Sequence, residues 1–231
     1  MDEVFELGEE VGDLLVKHTP LSLTLVKQKI LRFVKTYGLV RHPVLFQIIA
    51  LYAGYSGKRR SAERFFDLAM DLCEDEDMFI ELIINRIIYY LEIGERDEGK
   101  ELLSEAKEEF PDCGKLRLLE VDIAIREQDW RKITEFIGNS RGLDRMLREM
   151  SLAGLFYKNG DVKTSMVILQ SVLSSRILLL RRRGKNNFRE NHEESLRLME
   201  KVANLISPYG YEAFVTFKNR MKGRKNLLQF E

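Results

Sequence analysis

The sequence predicts an all-α chain of about 12 helices, stacked in antiparallel pairs as a solenoid. Three observations predict it. Apolar residues recur at helical spacing along most of the 231 residues, whereas the alternating runs and paired turn dipeptides of β-structure are scarce. The four prolines, Pro20, Pro43, Pro111 and Pro208, all fall between periodic segments and interrupt none. Inter-helix turns centred on Gly57, Gly94, Gln128 and Gly160 recur at spacings of 37, 34 and 32 residues. A period of that size marks helix pairs that each bury an apolar face on the next.

Residues 3–17 form the first expected helix, with Val4, Phe5, Leu7, Val11, Leu14 and Leu15 on one side. His18-Thr19-Pro20 ends it. Residues 21–37 follow with Leu25, Val26, Ile30, Leu31 and Val34, and Gly38 is placed as a C-terminal cap. His42-Pro43 opens the next helix, which stops near Gly57, and residues 61–73 return. The acidic run Glu74–Asp77 connects to a helix over Met78–Ile93, apolar on nearly every side, and suits that helix's N-terminus. Gly94 turns the chain into Arg96–Phe110, and Pro111 stops it.

Gly114–Glu127 and Trp130–Ile137 make a further pair, and a loop follows at residues 138–142. Trp130 opens a helix beside a turn, as a packing anchor would. Leu143–Lys158 and Val162 to about Leu180 make the fourth pair. The stretch 181–187 reads as a basic loop. Helices are then expected over Glu190–Ile206 and Tyr211–Met221. The chain divides on this reading into an N-terminal hairpin (1–41), repeats (42–176) and a basic helical extension (177–231).

The unit Ile84–Pro111 resembles the tetratricopeptide repeat family. It carries Tyr90 near the end of a first helix, Gly94-Glu95 at the turn, Leu103, Ala106 and a closing Pro111, and it departs at Gly99, where an alanine is usual. The preceding unit gives Gly57, Ala62, Phe66 and Ala69; the last gives Phe156, Gly160-Asp161 and Ser165. The resemblance covers about residues 43–176. It implies a right-handed superhelical array whose first helices line a concave groove that binds a protein or peptide segment.

Projected here, that groove carries Ile48 and Leu51, then Ile84, Asn85, Ile88 and Leu91, then Lys115, Leu118, Asp122 and Ile125. So apolar a groove is not expected to stand open to water. Either a terminal helix of the chain or a partner, a second copy included, should fill it. Some members of the family clamp a carboxylate with five polar residues. Asn85 and Lys115 match two of those positions, but Gln47, Leu51 and Leu119 replace the others, so that clamp is not expected.

Charge offers a second surface. The formal net charge is zero, yet residues 176–231 hold thirteen Lys and Arg against six Asp and Glu. Arg181, Arg182, Arg183, Lys185, Arg189, Lys222, Arg224 and Lys225, interleaved with Phe188, Phe214 and Phe217, are the candidates for nucleic-acid binding. The alternative is that the phenylalanines are core and the cations dock on acidic loops or stay solvated. Catalysis is not expected: phosphate loops, HExxH and GxSxG are all missing. Neither a metal nor another cofactor is expected, because the three histidines are isolated and Cys73 and Cys113 lie far apart. The acidic N-terminus and the lack of about 20 consecutive apolar residues lead to the expectation of a cytoplasmic protein that does not engage membrane.

Overall fold

The computed structural model describes residues 2–138, 143–206 and 208–227, excepting the side chains of residues 2, 143, 208 and 222–227. Among them are twelve helices and no strand. They fall into two compact units, Met1–Leu116 and Arg117–Glu231.

In the first unit α1 (Asp2–Lys17) and α2 (Pro20–Tyr37) form a hairpin, as do α3 (Pro43–Tyr55) with α4 (Arg59–Asp71) and α5 (Glu76–Glu92) with α6 (Arg96–Glu109). The starts are dictated locally. Thr19 accepts from the Ser22 amide at 3.2 Å, His42 Nδ1 from the Val44 amide at 3.2 Å, and Asp75 from the Met78 amide at 2.7 Å. Each satisfies a donor that the first helical turn leaves without a partner. Pro20 and Pro43 stand in the first turn, where no amide donor is needed. Helix α7 (Gly114–Glu127) begins in this unit and lies mostly in the second.

The second unit continues with α8 (Trp130–Ile137), α9 (Leu143–Lys158), α10 (Val162–Arg182), α11 (Phe188–Ala203) and α12 (Pro208–Leu227). Several boundaries differ from the sequence reading, most clearly those of the last three helices. Arg181 and Arg182 belong to α10, because cations suit the last turn of a helix. Helix α11 starts at Phe188, where Asn187 caps it through the Arg189 and Glu190 amides. Helix α12 starts at Pro208, a first-turn residue, and extends to Leu227.

The four turns that set the repeat share one geometry. Gly57, Gly94, Gln128 and Gly160 all have positive φ, from 59° to 89°. The next amide in each case reaches back five residues: Lys58 to Ala53, Glu95 to Tyr90, Asp129 to Ala124 and Asp161 to Phe156, at 2.8–2.9 Å. This is the Schellman C-cap, which closes the last carbonyls of a helix. The next helix begins two residues after the turn residue every time. At Gln128 the same turn is made without glycine, at a steric cost that a polar side chain bears only partly.

Small residues hold the helices close. Ala53, Ala62 and Ala69 are buried with Phe66 between α3, α4 and α5. A methyl group on Gly54 would run into the ring of Tyr89. In the second unit one cluster joins α9, α10, α11 and α12 through Met150, Leu173, Met199, Phe214 and Phe217. A second joins α7, α8 and α9 through Ile125, Ile133 and Phe156.

Candidate functional site

The groove positions expected from the sequence meet different fates. On α3, Ile48 is buried in the cluster formed by α1 and α2, and Leu51 packs against it. Helix α1 lies against this face: a Cβ on Gly8 would stand in ordinary contact with Val44 at 3.6 Å and Ile48 at 3.9 Å. His18 stacks on Tyr55 with ring centroids 4.8 Å apart, and the Tyr55 hydroxyl donates to Glu92. Burial, reinforced by that carboxylate, pushes the Tyr55 hydroxyl far above the usual phenol range. This end of the face is thus covered by the chain itself.

On α7, Leu118, Asp122 and Ile125 are committed inside the second unit. Leu118 and Ile125 pack with Leu152, Leu155 and Phe156. Asp122, 3% exposed, accepts from Arg126 and Lys158, each at 3.2 Å, and from Asn159 at 2.5 Å. A carboxylate so satisfied is a structural tie between α7 and α9, with little capacity left for a ligand.

The same holds for α9. The backbone of α12 crosses Gly154 so closely that a Cβ there would lie 2.7 Å from Gly210 Cα. Tyr157 shares a hydrogen bond with Thr216 at 3.1 Å, and the Lys158 ammonium stands 5.1 Å from the centre of the Tyr209 ring.

What remains is the face of α5. Ile84, Asn85, Ile88 and Leu91 are all half-buried, and Leu91 also leans on Gly99 of α6. Below them Glu81 and Lys115 form an exposed ion pair at 2.5 Å, which raises the Lys115 ammonium above its usual range. The α5 face is therefore apolar at its centre, with an amide and an ion pair beside it.

The basic end resolves in part. Phe214 and Phe217 are core, at 0% and 3% exposure, so neither can stack on a base. Phe188 is exposed, with the Arg181 guanidinium 5.5 Å from its ring centre. Lys185 pairs with Glu194 at 2.6 Å and Arg189 with Glu193 at 3.6 Å, whereas Arg182 and Arg183 are exposed. The side chains of Lys222, Arg224 and Lys225 lie outside the described residues. Trp130 is 59% exposed and stacks on Phe156 at 6.2 Å, covering the core edge rather than entering it.

Two features were not singled out from the sequence. A cavity of about 730 Å³ opens between α10, α11 and α12, beside Leu178, Phe188 and Met221. Helix α10 is also long and apolar enough, by length and composition alone, to cross a membrane; here one face of it is core for the second unit. Among the described residues no three His, Cys, Asp or Glu side chains converge as a metal site. No protein-family profile matches the chain, and neither does any curated protein or solved structure.

Proposed function

We propose that this chain is a non-enzymatic interaction scaffold that binds a segment of another protein on the α5 face. On this reading the helix pairs form a right-handed superhelical array of the tetratricopeptide kind, and the four equivalent turns support it. One observation carries the choice of site. The chain's own packing takes up Ile48 and Leu51 on α3 and Leu118, Asp122 and Ile125 on α7, while Ile84, Asn85, Ile88 and Leu91 stay half-buried on α5. A face of that composition suits an amphipathic helix set down on apolar anchors, with Asn85 offering hydrogen bonds at its edge. The Glu81–Lys115 pair would fix orientation more than affinity.

The test is affinity capture from the native lysate with wild type and Ile88→Glu, both first checked for folding. The substitution should abolish capture, because a buried charge would face the anchors of the partner. If the folded variant recovers the same partners in the same amounts, the α5 face is not the site.

A further inference from the structure

Helix α10 carries one stripe that its own unit leaves partly uncovered: Val167, Gln170, Ser174, Leu178 and Arg181, at successive spacings of three or four residues. Val167 is 63% and Leu178 56% exposed. The stripe spans about 21 Å at 1.5 Å per residue. Two cavities open along it. The one of about 730 Å³ lies at the Leu178 end, walled by Phe188 and His192 of α11. The other, about 250 Å³, lies at the Val167 end, walled by Phe217 and Arg220 of α12. Both are bordered by Gln170 and Met221, so they form one trough.

The trough is apolar along its floor and cationic at its ends. Arg181 stands at one end, beside an Arg189 that pairs with Glu193, and Arg220 at the other, and no Asp or Glu lines either cavity. Arg181 and Arg220 make no ion pair among the described residues. We propose that this trough docks an amphipathic helix of a partner protein, about four turns long, apolar on one face and acidic at both ends.

The shape and charge argue for that occupant. Ser174, a small residue between the larger Gln170 and Leu178, lets a helix axis come close at mid-length. A nucleic-acid strand needs cations that follow its backbone, yet here Leu178 and Val167 separate them. A single-chain amphiphile has one acidic end and would answer only one of the two cationic ends. This surface is distinct from the α5 face and stands or falls separately.

Two fluorescent peptides test it, each about 14 residues long, with one leucine stripe at the α10 spacing. One carries glutamates at both ends, the other lysines. Fluorescence polarisation against the full chain should show the glutamate peptide binding about tenfold or more tighter, and weakening as salt rises. Leu178→Glu, at an exposed position and first checked for an intact fold by circular dichroism, should weaken it by about tenfold or more. Arg181→Gln with Arg220→Gln should erase the preference for the acidic peptide, while Ile88→Glu should change nothing. Equal binding of the two peptides, no binding of either, or indifference to Leu178→Glu would overturn the proposal. Two other results would also overturn it. A dimer that Leu178→Glu dissociates would give the trough to a second copy, and displacement of the peptide by a single-stranded oligonucleotide would give it to nucleic acid.

Discussion

Replacing Gly154 with alanine tests the closest helix contact in the second unit. The new Cβ would lie 2.7 Å from both Gly210 Cα and Gly210 N, and 3.1 Å from Tyr209 C. These are backbone atoms, so no side chain can swing aside. Ordinary contact begins near 3.4 Å, so α9 and α12 must separate by about 0.7 Å. A gap of that size forfeits about a quarter to a half of each dispersion contact it opens. Met150, Ala153, Ala213 and Phe214, all fully buried, belong to the core that would open. Overpacking of this kind costs about 1–3 kcal/mol. Replacing glycine inside a helix returns about 1 kcal/mol. The net expectation is a loss of about 1 kcal/mol and at most about 2 kcal/mol, a fall of about 0.5 M in urea midpoint for a typical slope near 2 kcal/mol/M. Trp130, the chain's one tryptophan, sits on Phe156 in the same unit, so its fluorescence reports the transition directly. A variant stabilised by about 1 kcal/mol, the full return expected where a new methyl meets no clash, would refute the close approach of α9 and α12 and the coverage of α9 that follows from it.

Three further outcomes are expected. Gly12→Ala, in α1 with nothing within 4 Å of the new methyl, should stabilise the first unit by about 1 kcal/mol in thermal melts followed by circular dichroism. Arg86 bonds Glu63 at 2.6 Å, Asp67 at 3.0 Å and the Tyr90 hydroxyl at 3.3 Å. Arg86→Ala should therefore cost about 2 kcal/mol in urea unfolding, and Arg86→Lys should recover less than half, since an ammonium cannot span the same fork. Burial lowers the pKa of His42, whose neutral Nδ1 caps α3, so its contribution is intact above the ordinary histidine pKa and lost as pH falls through the depressed one. Stability measured from pH 7.5 to 5 should drop in wild type and drop less in His42→Asn, which retains a cap without titrating in that range.

The helices were legible because their signals are local. Thr19-Pro20, His42-Pro43 and Asp75 cap where they stand in sequence, and Gly57, Gly94 and Gly160 take the positive φ that glycine permits. Gln128 was legible only through the period of its neighbours. The boundaries that shifted did so for local reasons too: Arg181 and Arg182 carry loop-like charge but favour a helix end, and Pro208 begins a helix instead of delaying it. The fate of the groove was not legible, because it depends on residues distant in sequence. Nothing near Gly154 announces Gly210, and nothing near Ile48 announces Gly8. Asp122 looks from the sequence like a groove-facing acid, and only the arrival of Lys158 and Asn159 shows that its charge is already answered.

That dependence bears on the place of function in the chain. Repeat helices carry an apolar face whether they meet a neighbour or a partner, so composition cannot distinguish the two uses. Coverage can. Ile48 is covered by α1 and α2, and Gly154 by α12, while Ile84 and Ile88 on α5 and Leu178 on α10 stay partly open. The discriminating residues are accordingly the small ones that admit the covering helices. If Gly154 sets whether the α9 face is closed, then Gly154→Ala should loosen α12 and expose Met150 and Phe214, with increased binding of a hydrophobic dye. In the same variant the capture proposed for the α5 face should be unchanged, because Ile84, Ile88 and Leu91 belong to the first unit and Gly154 and Gly210 to the second.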